Sequence, residues 1–175
     1  ADDAASAVGV ILELARQLRA EPGKASRIEL VFFDGEEAFG QNISPSDGLY
    51  GSKHYAHHWR TATRKPSFGI ILDMIGHKDL KIRYPSDTPS FLEEALLDAA
   101  RKTSSLDRFT RSLNPIMDDH VPLNNAGIPT IDVIGDFSQF AWWHTEADNL
   151  RRISRDSLEI TLAVTSKMLS ALLRK

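Results

Sequence analysis

Three short apolar runs constrain this chain more than any other feature: Ile28-Glu29-Leu30-Val31-Phe32-Phe33, Phe68-Gly69-Ile70-Ile71-Leu72, and residues 128–134. Each has the length of a strand and the near-continuous hydrophobicity of one covered on both faces. Asp34-Gly35 breaks the first run, and Pro129 places the start of the third near an edge or a bend. Residues 81–84 are expected to add a short edge strand. The segments between carry a different period. Val8, Ile11, Leu12, Ala15 and Leu18 follow helical spacing over residues 5–19, and Pro22-Gly23 ends that pattern. Residues 50–61 fit a helix. Residues 90–102 fit another, with Phe91, Leu92, Ala95, Leu96 and Ala99 on one face, and residues 154–173 close the chain as a helix with Ser154 as N-cap. Strands alternating with helices predict an α/β fold: a three-layer sandwich whose mostly parallel central sheet is flanked by helices.

The chain has 175 residues, enough for one compact domain with a real core. Its formal net charge of -3 argues against nucleic acid, which is met with clustered Lys and Arg. No apolar run reaches the roughly 18 residues needed to cross a bilayer. The absence of Cys excludes disulfides, Cys-ligated zinc and thiol catalysis, without fixing a compartment. The chain opens on Ala1-Asp2-Asp3 and enters a helical pattern at once, so it is read as a fragment or as lacking an upstream segment. Nothing in the sequence sets an oligomeric state.

In open parallel sheets ligands bind beyond the carboxyl ends of the strands. Glu36 and Glu37 follow the first run, Asp73 ends the second, and a loop with Trp142-Trp143-His144 follows the third. Adjacent carboxylates at such a place can divide labour, one holding a metal and the other exchanging protons, although the pair also fits a solvated helix start. Asp73 is costly to bury unless it meets a metal or donors, or else it caps the next turn. His144 is a zinc-type ligand or a surface loop residue. Asp2 and Asp3 fit an N-cap and first-turn acid, or a ligand at a helix start. Met117-Asp118-Asp119-His120 is either an Asx-type turn or a carboxylate source that buttresses catalytic groups. His54, His57 and His58 share a helical face but have no acidic partner, and are read as surface.

In this order and spacing, five stretches resemble the zinc-dependent exopeptidase family of aminopeptidases and glutaminyl cyclases. They are Phe32-Phe33-Asp34-Gly35-Glu36-Glu37-Ala38-Phe39, Gly48-Leu49-Tyr50-Gly51-Ser52, Leu72-Asp73-Met74-Ile75-Gly76, Asp118-Asp119-His120-Val121-Pro122, and Trp143-His144-Thr145 followed by Asp148-Asn149. The resemblance covers nearly the whole chain and implies a single catalytic domain over residues 1–175. It implies zinc held by Asp3, Glu37 and His144, a catalytic Glu36, and Trp143 as a wall of the substrate pocket. Asp73 matches a position that splits the family. It binds a second zinc in aminopeptidases and is a hydrogen-bonding acid supported by Asp118 in cyclases. The long insert between Glu37 and Gly48, and Trp143-His144-Thr145, are similar to the glutaminyl-peptide cyclotransferase branch, although Asn42 stands where animal cyclases carry a Trp. The implied substrates are peptide or protein N-termini: one zinc and pyroglutamate formation in the cyclase reading, two zincs and release of the first residue in the aminopeptidase reading. A periplasmic or secreted location follows from the family alone.

Overall fold

The computed structural model describes residues 1–174. A helical turn, Asp2–Ser6, leads into α1 (Ala7–Leu18) and a single-turn α2 (Pro22–Ala25). Then come α3 (Tyr50–Arg60), β1 (Gly69–Asp73), β2 (Ile82–Tyr84), α4 (Ser90–Lys102), β3 (Phe109–Arg111), α5 (His120–Asn125), β4 (Thr130–Gly135) and α6 (Arg155–Leu172). The four strands form one sheet in the order β1-β4-β2-β3. β1 pairs parallel with β4, and β2 parallel with β3; only the β2–β4 pairing is antiparallel. The expected mostly parallel sheet is present.

β4 is buried along its whole length, and its alternation divides the molecule into layers. Ile131 and Val133 join a core built with Ala7 and Val10 of α1, Leu92 and Leu96 of α4, and Val164 and Met168 of α6. Full burial of each such side chain is worth about 1.5–3 kcal/mol. Thr130, Asp132 and Ile134 point to the opposite face, where α5 packs on β4 and β1 and α3 packs on α5. The stripe of α1 is Ala7, Val10, Leu14 and Leu18. Val8 and Leu12, expected on the buried face, are exposed, because the buried arc is centred one residue earlier. Ser154 caps α6 as expected: its side chain accepts the Ser157 N–H at 3.1 Å.

Two strand expectations need correction. Residues 28–33 are not a strand. Among the described residues, no backbone group of residues 29–33 has a hydrogen-bond partner, and Glu29 and Phe32 are exposed. A cavity of about 850 Å³ is lined on one side by Leu30 and Phe33 and on the other by Ile70 and Leu72 of β1. Apolar composition signals a strand, but a strand exists only through a paired neighbour, and across this gap neither edge has one. Nor does the 81–84 strand lie at an edge: β2 sits between β4 and β3, and the edge is β3, whose buried Phe109 is followed by exposed Thr110 and Arg111.

Candidate active site

The end of β1 and the loops around it carry the chemistry. Asp73 is the last residue of β1, in register with Ile134 of β4. The 34–37 loop is strapped to the start of α3 by three main-chain bonds. Gly51 N donates to Asp34 O at 2.9 Å, Tyr50 N to Gly35 O at 2.9 Å, and Leu49 N to Glu36 O at 2.7 Å. Gly35 makes the turn with a left-handed φ of 58°, and Gly51 lets the helix approach: a Cβ there would lie 2.7 Å from Asp34 O. The Gly48–Ser52 stretch thus aims Glu36 and Glu37.

His144 projects from a loop built on Trp142, which is buried and stacks on His77 with ring centroids 5.2 Å apart. Thr145 Oγ1 donates to Trp142 O at 2.6 Å and tightens the turn in which His144 takes a φ of 56°. Asp3 arrives from the opposite side, on a segment anchored where Gly76 N donates to Asp2 Oδ1 at 2.7 Å. Asp2 is fully buried and structural, so of the two acids only Asp3 faces the site.

Asp3, Glu37 and His144 converge. His144 Nε2 lies 2.7 Å from Glu37 Oε1 and 3.5 Å from Asp3 Oδ2, and the three ligand atoms are mutually within 4.8 Å. Burial, then the charge of Glu37, pushes the Asp3 carboxyl up. A cation between them would relieve that repulsion, and two carboxylate oxygens with one imidazole nitrogen form a donor set of the zinc type with room for a further ligand. The residues fit the ion.

The seven residues to which the family resemblance gave a role line one cavity of about 740 Å³: Asp3, Glu36, Glu37, Asp73, Asp118, Trp143 and His144. Burial and the charges of Asp118 and Glu37 push Glu36 up to about 8. Burial and the charges of Asp118, Asp3 and Glu36 push Asp73 well above the usual carboxylate range, and its Oδ1 is buried without a partner. Asp118, 4% exposed, is pushed up to about 7 by burial. The Trp143 ring lies tilted against that of His144, with centroids 3.9 Å apart. The histidines at 54, 57 and 58 are exposed and remote from this cavity, as read from the sequence.

Sequence reasoning missed Asp132. It sits at the centre of β4, fully buried, and its carboxyl is raised by burial and then by the charges of Asp118 and Asp73. His120 Nδ1 lies 3.5 Å from Asp132 Oδ2, and burial pushes that imidazole down to about 4. The signal was available, since a carboxylate inside the all-apolar run Ile131-Asp132-Val133 has no packing reason to be there.

Residues 1–169 match the model of peptidase family M28. The chain belongs to that family. It is similar to the glutaminyl-peptide cyclotransferases of Gloydius blomhoffii (30% identical) and Bos taurus (29% identical), each match covering 91% of this chain and 52% of the relative. The chain therefore spans about half the length of the curated relatives it matches. Among solved structures it resembles an Acidobacteriales bacterium glutaminyl cyclase, with a TM-score of 0.86, 31% identity, and coverage of 99% of this chain and 62% of that one. It also resembles a leucine aminopeptidase precursor from Bacteroides thetaiotaomicron, with a TM-score of 0.78, 26% identity, and coverage of 96% and 61%. These neighbours bear out the α/β reading of a mostly parallel sheet flanked by helices. The likeness to a Zn-dependent exopeptidase from Parabacteroides distasonis, with a TM-score of 0.81, 26% identity, and coverage of 96% of this chain and 62% of that one, implies zinc. No helix among the described residues is long and apolar enough to cross a membrane.

Proposed function

We propose that this chain carries the active site of a zinc-dependent glutaminyl-peptide cyclotransferase, which converts an N-terminal Gln to pyroglutamate and releases ammonia. The observation that carries the reading is that Asp3, Glu37 and His144 bring their ligand atoms together in one three-ligand cluster that does not include the neighbouring buried acids Asp73 and Asp118. One ion is held by the first group, and the second remains free for hydrogen bonding.

The ion, when bound, polarises the side-chain amide carbonyl of the substrate Gln. The α-amino nitrogen of the same residue attacks the amide carbon, a C–N bond forms, and the bond to the departing nitrogen breaks. Both reacting groups belong to one residue, so the step gains from proximity. Glu36 takes the proton from the amine and delivers it to the leaving nitrogen. Burial, the largest cause, holds its carboxyl above the usual carboxylate range, toward that of an α-amino group, which suits transfer in both directions. Asp73 offers its unpartnered Oδ1 to the leaving N–H, Asp118 supports Asp73 from below, and Trp143 walls the pocket.

A second reading is a di-zinc aminopeptidase, supported by the likeness to the leucine aminopeptidase precursor. There Asp73 would serve with Asp3 as a ligand for a second ion, and Glu36 would be the base toward water. Zinc content per chain, ammonia release from a Gln-peptide and cleavage of amino-acid anilides separate the two. One zinc with ammonia and no anilide cleavage is expected; two zincs with free amino acid would overturn the cyclase. Glu36→Gln is expected to lower turnover by at least about 100-fold while zinc stays bound, the scale of a lost general acid–base. Near-normal turnover would remove Glu36 from its role.

A further inference from the structure

We propose that Asp148 is a positioning residue for the metal site, holding Asp3 opposite His144 by capping the main chain on which Asp3 sits. This rests on the metal reading above. Asp148 has no place in the ligand set and does not line the cavity. Its carboxylate nevertheless spans the segment that brings Asp3 in. Asp2 N donates to Oδ1 at 2.9 Å and Asp3 N to Oδ2 at 3.1 Å.

These N–H groups need an external acceptor. They open a helical segment, where the first N–H groups have no partner within the helix, and Asp3 and Ala4 depart from helical φ and ψ. The Asp148 side chain is about 9% exposed, so solvent competes little for it. Its own loop is fixed: Asp148 N donates to Thr145 O at 3.0 Å, and Arg152 Nε to Ala147 O at 3.2 Å. Thr145 follows His144 directly. One five-residue stretch, 144–148, therefore carries a ligand at one end and, at the other, the clamp for a ligand from the far end of the chain. Side chains that orient ligands commonly control metal affinity by 10–100-fold when substituted.

Asp148→Asn tests this, because it keeps the shape but turns one acceptor into an N–H facing another N–H. Asp148→Glu keeps the charge and displaces both oxygens, which serves if the first variant does not fold. Zinc dissociation constants are measured by competition with a chromophoric chelator for wild type, Asp148→Asn, Asp3→Asn and the double variant, with the metal-free melting of each recorded. The expected result is about 10- to 100-fold weaker zinc binding in Asp148→Asn. The double variant should bind no more weakly than Asp3→Asn alone, because the clamp acts only through Asp3. Binding within twofold of wild type would overturn the proposal, as would an equal loss in the Asp3→Asn background, which would mark general loosening. Zinc binding that Asp3→Asn leaves intact would instead fell the metal reading, and the clamp with it.

Discussion

A carboxylate at position 132 interrupts the most deeply buried strand of the sheet, and only its neighbours account for it. Asp132 lies among Asp118, Asp73 and the neutral His120, in a network where burial favours protonated acids. The folded state then holds protons that the unfolded chain, with Asp near 3.9, has released. Where the native state binds more protons, stability falls as pH rises. His120 works in the other direction, but only below its unfolded value of about 6.5, where the unfolded imidazole charges and the buried one does not. Above that pH the acids act alone. Metal-free protein is therefore expected to melt at a lower temperature at pH 8 than at pH 6.5. Asp132→Asn should shrink that difference, and thermal unfolding at the two pH values checks it. Asp132 was legible as an anomaly inside an apolar run, whereas the identity of its partners was not, since Asp118 and His120 precede it on a different element.

Helices were the most legible elements. Residues 90–102 coincide with α4, because its apolar spacing is strict and the extended Pro89 stands at the N-cap. Strands divided by whether a partner was at hand. β1 and β4 were readable as runs and found each other, while 28–33 has the same composition and no pairing. Amide hydrogen exchange should reflect this: main-chain N–H groups of residues 29–33 should exchange much faster than those of residues 131–134, despite similar hydrophobicity. Equal protection would mean that the 28–33 run is paired in solution. Close packing at the strand ends is a second tertiary feature. A Cβ on Gly135 would lie 2.3 Å from Met74 O, where the chain leaves β1 just past Asp73. Gly135→Ala is expected to cost about 1–3 kcal/mol, as overpacking does, measured by denaturant unfolding.

At the level of the molecule, the fold gathers three side chains that could hold an ion from distant parts of the chain, at positions 3, 37 and 144. Binding an ion there couples metal to folding, because the unfolded chain does not hold the three together. Zinc at 100 times its dissociation constant should stabilise the fold by about 2.7 kcal/mol. At one fixed zinc concentration the gain should be larger at pH 8 than at pH 6, since protons compete for the ligands and weaken binding; calorimetric melts with and without zinc at both pH values test this. The sequence by itself determined the α/β class, the longer helices α1, α3, α4 and α6, and the residue types at the site, because periodicity and the cost of burying a carboxylate are local properties that single segments reveal. Only the tertiary structure decided which acids lie together, that Asp2 is buried while Asp3 faces the cavity, that Asp132 lies beside Asp118 and Asp73 and Asp148 accepts from the main chain at Asp2 and Asp3, and that residues 28–33 have no strand partner among the described residues. Those outcomes depend on contacts between segments far apart in the chain, and neither periodicity nor composition carries that information.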